Sequence, residues 1–493
     1  MKNIIISRFI FTGILLIIWY FGYPHTLLHY EETSFFANIP DYYHKYHSIP
    51  ADIIKIAGNF IVQFYKYQGI AALLQTLWVV LFLIGCDLII YRLLKNIHLL
   101  WVSFIPACYF AMQQGGEHLT VEYSLKWVIS IYGILILLIL LRRQPIFNFF
   151  SCKKALHLCN YLIPYICILS IAYNLLTNQE RKHYEKLQRI EDAAMDRNWN
   201  KVLQEIPDDK ENIGEIQLRY FLLALSETEQ LGEYLFHFPI NNSKYFYFDH
   251  QLHRVAFRFN SLFYWCLGIP NEAIRFAFQE SQDGNSGDMS FGALRRMTDW
   301  YMQRGDIRQA LFYLNILSYT TCHDTFIKTR KMFLQQSTKA QTNERPFFVN
   351  AQIPVTTAYL LEINPQHTQA LNYLLCSFLL DKDLESFYNI FCTYWPKGKH
   401  IPAHYEEALL MLEDNSDITL DEIFITDNRR NQYKELKQLL EKGDIALINF
   451  KFRNTFWRYM LMEQQKENEV DGQTNASTQY KNSKKEITDT PIP

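Results

Sequence analysis

The chain reads VEYSLKWVISIYGILILLILL over residues 121–141, RRQPIFNFFSCKK over 142–154 and ALHLCNYLIPYICILSIAYNLL over 155–176. Two strongly apolar runs, each of the length that fits a bilayer core, flank a short linker. The linker carries Arg142, Arg143, Lys153 and Lys154 and no acid. A short, purely basic loop between two such runs marks the cytoplasmic side of a membrane. Everything else is placed relative to this helix–loop–helix.

Upstream, Lys2 and Arg8 precede the apolar run Phe9–Gly22. No small-x-small cleavage site follows, so this reads as an uncleaved first span with Arg8 snorkelling to the inner surface. Further apolar runs give expected spans at about 4–22, 69–91, 97–112, 121–141 and 158–176, with an outer loop at 23–68. Within that loop, Ile53–Tyr67 has apolar residues at helical spacing, as in a helix lying at the interface. Counting crossings from an inner N-terminus puts the basic turns 92–96 and 142–157 inside and everything after Leu176 outside.

The chain has 493 residues, of which 16% are aromatic, but only 18 Gly and 16 Pro. Few breakers and many large side chains favour helices over a turn-rich β fold. Residues 1–176 hold 12 Lys and Arg against 7 Asp and Glu; the remainder hold 36 against 43. An acidic second part argues against nucleic acid as a partner, because phosphate binding needs basic patches.

From Asn178 the pattern becomes paired amphipathic helices. Phe257, Ser261, Tyr264, Gly268, Ala273 and Ala277 align with Leu294, Thr298, Tyr301, Gly305, Ala310 and Leu314. An aromatic late in the first helix, Gly in the turn and Ala at the close approach resemble the tetratricopeptide pattern. A further copy is expected over Pro365–Pro396. The fold expected is therefore all-α: residues 1–176 form a transmembrane bundle of about five helices. Residues 177–336 are tetratricopeptide-like repeats of an α-solenoid, and 337–462 are further repeats and a cap. The tail 463–493 is nearly free of apolar residues and is expected to be disordered. Tyr245, Phe246, Tyr247, Phe248, Tyr264 and Trp265 read as groove lining or, more plainly, as core.

NFIVQFYKYQGIAAL (59–73), RYFLLALSETEQLGEYLFHFP (219–239) and the stretch from Ala273 to Tyr319 resemble an uncharacterised family of multi-span bacterial membrane proteins with C-terminal tetratricopeptide-like helices. That resemblance implies architecture and no activity.

Candidate chemistry is sparse. Glu31 and Glu32 follow the first span, where polyprenyl-phosphate-dependent membrane glycosyltransferases keep acids that serve as base or orient an acceptor. They are the candidate catalytic residues. His25, His29 and Glu32, spaced i, i+4, i+7, would share a helix face as metal ligands do. His44 and His47 lie in the same loop, and polar residues at a membrane surface explain the set more simply. Asp87 is the ionisable residue inside a span, expected to pair with Arg92 or a basic loop residue. Asp249, His250 and His253 read as a helix cap followed by exposed imidazoles. Cys266, Cys322, Cys376 and Cys392 could pair if exported, but free buried thiols are the plainer expectation. No phosphate loop, nucleophile elbow, HExxH or dinucleotide fingerprint occurs.

The function expected is that of a non-catalytic inner-membrane protein without cofactor or metal. Its exported repeat domain would bind an envelope protein or peptide as a scaffold or assembly factor. A glycosyltransferase-like enzyme at the outer leaflet, working through Glu31 and Glu32, is the alternative.

Overall fold

The computed structural model describes residues 2–44, 51–115, 121–141, 153–210, 212–247, 254–282, 289–336, 353–415 and 425–461. Helix is the only regular structure among them. The chain divides into two compact units that do not follow sequence order. One comprises Met1–Asp196 with His250–Phe347, the other Arg197–Asp249 with Phe348–Pro493.

Among the described residues of the first unit three helices are long and apolar enough to cross a membrane: Ile5–Gly22, Gln68–Leu94 and Val121–Leu140. The sequence suggested about five. Two further apolar stretches follow: Leu99–Gln113, which is shorter, and Leu162–Thr177, the apolar part of the helix Lys153–Thr177. The first of these opens with a 3-10 stretch, Ile97–Ser103, before Phe104–Gln113. The linker 142–152 lies outside the described residues.

Contacts fix which helix ends lie together. At one end the Gln68 amide donates to Tyr20 O at 2.7 Å, Tyr23 OH donates to Leu175 O and Arg181 donates to Met112 O. At the other end Arg8 pairs with Asp87 at 2.6 Å, and Ser103 Oγ donates to the second Asp87 oxygen at 2.7 Å. Asp87 thus takes Arg8 rather than Arg92, because antiparallel packing brings residue 8 level with residue 87. Arg8 accordingly points into the bundle instead of snorkelling alone. Two charges shielded from water are tolerated only when paired and hydrogen-bonded.

Inside the bundle Phe82 packs at a tilt against Phe110 at 4.8 Å, and Phe11 meets Phe104 edge-on at 5.6 Å. The outward faces are apolar too: Phe9, Leu137, Leu140 and Leu169 are exposed. A surface that greasy suits lipid rather than water.

The first unit also holds two hairpins, Arg254–Cys266 with Pro270–Gln282 and Phe291–Arg304 with Ile307–Leu317, followed by Asp324–Gln336. The residues aligned in sequence play matching parts. Tyr264 stacks on Phe276 at 5.4 Å, and Tyr301 stacks on Tyr313 at 5.6 Å. Gly268 and Gly305 take left-handed φ of 76° and 85°, ending the first helix of each pair. Ala273 and Ala310 are fully buried where the helices meet.

The second unit is built from further helix pairs, among them Thr368–Leu380 with Leu384–Tyr394 and Asp427–Lys442 with Ile445–Lys451. One turn recurs: a left-handed residue, then an N-capping Asx whose side chain accepts from the N–H three residues on. It appears as Arg197–Asn198, Lys382–Asp383 and Gly443–Asp444, and as Gly305–Asp306 in the first unit. Glu407 organises the centre, accepting from Arg429 Nη1 at 2.9 Å and the Phe456 N–H at 2.7 Å. Phe246 packs against Tyr373 at 5.1 Å. With Tyr247 and Tyr264 also buried, these aromatics are core rather than groove. Cys266, Cys322, Cys376 and Cys392 are free thiols.

Candidate functional site

The region with the densest chemistry is the short helix Pro24–Glu32 that follows the first apolar helix, within the first unit. Its start is well specified. Pro24 supplies a preset φ where no N–H is needed. Glu185, from the helix Gln179–Met195, then serves as the anion at the helix N-terminus. Its carboxylate accepts from the N–H of His25 at 3.0 Å, from the N–H of Thr26 at 2.8 Å and from the Thr26 hydroxyl at 2.6 Å. His25 Nδ1 lies 2.6 Å from Asp192 Oδ2.

The other end is electrostatically unusual. Glu31 and Glu32 are the last two residues, where the helix dipole disfavours negative charge, and they are only 3% and 5% exposed. Both are kept by partners from later in the chain, arginines of the two hairpins and His323 in the turn that follows them. Glu32 receives Arg258 on one oxygen and Arg295 on the other, each at 2.7 Å. Glu31 Oε1 lies 2.6 Å from His323 Nε2, and the His323 ring is stacked by Phe291 at 3.7 Å. Glu191 lies 3.4 Å from Arg258, and Glu280 pairs with Arg296 just behind.

The backbone is held as well. Ser290 Oγ donates to Glu32 O at 2.7 Å, the Phe291 N–H donates to Ser34 O at 3.1 Å, and the Asn38 N–H donates to Tyr319 O at 3.0 Å. Gly292 allows this approach: a Cβ there would meet both Glu32 Cβ and Glu32 O at 3.2 Å. Further along the loop, Gln63 Oε1 accepts from the Thr321 N–H at 3.0 Å and its hydroxyl at 3.1 Å.

The environments push neighbouring acids in opposite directions. Burial would raise Glu32, but Arg258, Arg295 and Arg296 outweigh it and hold the carboxyl well below the usual range. For Glu31 burial wins over His323, and the carboxyl is raised. Burial also raises Asp192 against its bond to His25, and Glu185 against its bonds to Thr26.

The structure thus brings Glu31 and Glu32 together, but into ion pairs. Both oxygens of Glu32 are taken by guanidinium groups. To act as a base it would have to give up two ion pairs. His25, His29 and Glu32 do share a helix, yet each has its own partner: Asp192 for His25, the Tyr184 ring for His29 and the two arginines for Glu32. Asp87 belongs to the apolar bundle with Arg8. His47, Asp249, His250 and His253 lie outside the described residues. Sequence reading missed Arg258, Arg295, His323, Glu185 and Asp192. The partners of Glu31 and Glu32 lie 226 to 292 residues away, beyond any local pattern. Arg258 alone left a trace, as a charge inside RVAFRFNSLFYWC.

Residues 1–182 and 145–463 match the Family of unknown function (DUF6057). The chain belongs to that family. No curated protein and no solved structure matches it. Both stretches of the DUF6057 match include parts of this site, the first holding Glu31 and Glu32 and the second Arg258, Arg295 and His323.

Proposed function

We propose that this DUF6057 protein is a non-catalytic protein of the bacterial inner membrane. On this reading five apolar helices cross the bilayer, and a tetratricopeptide-like solenoid on the exported side binds an envelope protein or peptide as a scaffold or assembly factor. The observation that carries the reading is the fate of the first-loop acids. Glu31 and Glu32 are the candidates for chemistry, and both are spent on partners: Glu32 on the arginines of the two hairpins and Glu31 on His323 beyond them. The alternating contacts at helix ends support five crossings, including those of Leu99–Gln113 and Lys153–Thr177. The matched stacks and turns of the two hairpins support a repeat architecture.

A C-terminal reporter active only outside the cytosol should signal, and one active only inside should stay silent; the reverse pattern removes the exported role. Glu31→Gln keeps an acceptor for His323 and should preserve both protein level and the phenotype of a complemented deletion. A Glu31→Gln protein that accumulates normally but fails to complement would favour the glycosyltransferase-like alternative.

A further inference from the structure

We infer that the outward face of the helix Ile445–Lys451 is a self-association surface, on which a second copy of this chain lays its own Ile445–Lys451 antiparallel about a twofold axis. The helix is the second of a pair with Asp427–Lys442, within the second unit. The inward side of the pair is complete. Leu436, Leu439, Ile448 and Phe452 are buried, and the Trp457 ring lies 5.3 Å from Tyr433 and 5.8 Å from Phe452. The outward side is apolar as well: Leu440, Ile445, Ala446, Leu447 and Phe450 are all exposed. Phe450 is 84% exposed, more than Phe9 on the outward face of the apolar bundle. The fold gains nothing from these five, and a contiguous apolar face turned to water marks a contact surface. An array of helix pairs needs a polar end to stay single, and this end is not polar.

Three observations select a second copy as the occupant. The chain's own tail is a poor cover, since residues 463–493 scatter Val470, Ala476, Tyr480, Ile487 and Ile492 among charges and amides. The face is also self-complementary in shape. Ala446 and Phe450 are four residues apart and so share one side of the helix, a dent one turn from a bulge. An antiparallel twofold pairing sets the Phe450 ring of each copy over Ala446 of the other, with Leu447 near the axis, which is the isologous contact by which most oligomers close. The charges agree. The start of the helix has Glu441 and Asp444 against Lys442. Its end has Lys451 and Arg453 against Glu435, which pairs with Lys451 in the same chain. Antiparallel packing brings the net negative start of one copy to the net positive end of the other, and a foreign helix would have to supply both. The face is small, so the contact belongs to the weak, concentration-dependent class. It involves the second unit alone and holds whatever number of helices cross the membrane.

Sedimentation equilibrium of the full-length protein in density-matched detergent, over a concentration series, tests this. The mass should pass from one copy to two as concentration rises. Phe450→Asp puts two carboxylates into the centre of the contact and should weaken dimerisation at least about thirtyfold, the factor that loss of an anchor residue carries. Ala446→Glu fills the dent with a charge and should do the same, serving where the first variant does not fold. Phe278→Ser, which removes an exposed ring from the first unit, should leave the equilibrium alone. Orientation is read on a Cys392→Ser background, which removes the exposed native thiol. Under mild oxidation, Ile445→Cys copies mixed with Lys451→Cys copies should give a linked heterodimer, and Lys451→Cys copies alone should not link. A single-copy mass throughout the series overturns the inference and leaves the face to a different protein. Dimers that survive both charged variants place the contact elsewhere and overturn it too, as does linkage of Lys451→Cys copies only to one another.

Discussion

Removing Glu32 should be among the most damaging single changes in the chain. Glu32→Ala leaves Arg258, 2% exposed, without its strongest partner and leaves Arg295 with Glu31 and Asp299. Breaking a buried pair by deleting one partner costs about 3–5 kcal/mol, because the surviving charge is stranded. The contributions should be unequal. Arg295 has 37% of its side chain exposed, and water can take over much of its role. Arg258→Met should therefore cost about 3 kcal/mol or more, and Arg295→Met about 1 kcal/mol or less. The assay is denaturant unfolding of the detergent-solubilised protein, followed by protease cleavage within residues 290–323. The sign with acid is also fixed. A carboxyl held below its ordinary range stabilises above that range, so the Glu32 share should survive as pH falls through 4 and vanish only at lower pH. If Glu32→Ala costs no more than Arg295→Met, or if its share disappears near the ordinary carboxylate value, the Glu32 ion pairs do not hold the helix Pro24–Glu32 to the hairpins.

Arg8 and Asp87 offer a second test. Arg8→Leu or Asp87→Leu alone should each lower the yield of folded protein, by about 3 kcal/mol in stability, whereas the double variant should return most of it, as read by monodispersity and melting in detergent. A third concerns Lys382, which holds φ of 59° in the turn before Asp383. Lys382→Gly should stabilise the second unit by up to about 1 kcal/mol, since a side chain in the left-handed region costs more than glycine's added chain freedom. Asp383→Ala should instead cost about 1 kcal/mol by removing the N-cap to Ser386, both changes being measured as shifts of the urea midpoint.

The parts legible in sequence were those with a local signature. Tyr264, Gly268 and Ala273 align with Tyr301, Gly305 and Ala310 because a helix pair repeats its own packing needs, and the two stacked aromatic pairs follow from that. Long apolar runs were plain for the same reason, whereas the short stretch before Gln113 was harder to read because a 3-10 segment and Pro106 interrupt it. The site was legible only in half. Glu31 and Glu32 stood out as acids after a span, but an acid says nothing about whether it will meet a substrate or an arginine. Their partners are separated from them by most of the chain, and no spacing rule connects residue 32 to residues 258 and 295. Asp87 went to Arg8 for a related reason: the nearest cation in sequence was Arg92, yet helix packing made residue 8 the neighbour in space.

The long sequence separation has a consequence for synthesis. Arg258 follows Glu32 by 226 residues, so at about 5–20 residues per second the ribosome needs roughly 10–45 s to deliver it. Through that interval the newborn loop carries two naked carboxylates close to its first apolar helix. Neither acid can reach its native pairing until its partner has been made, so this part of the first unit closes only after His323 has emerged.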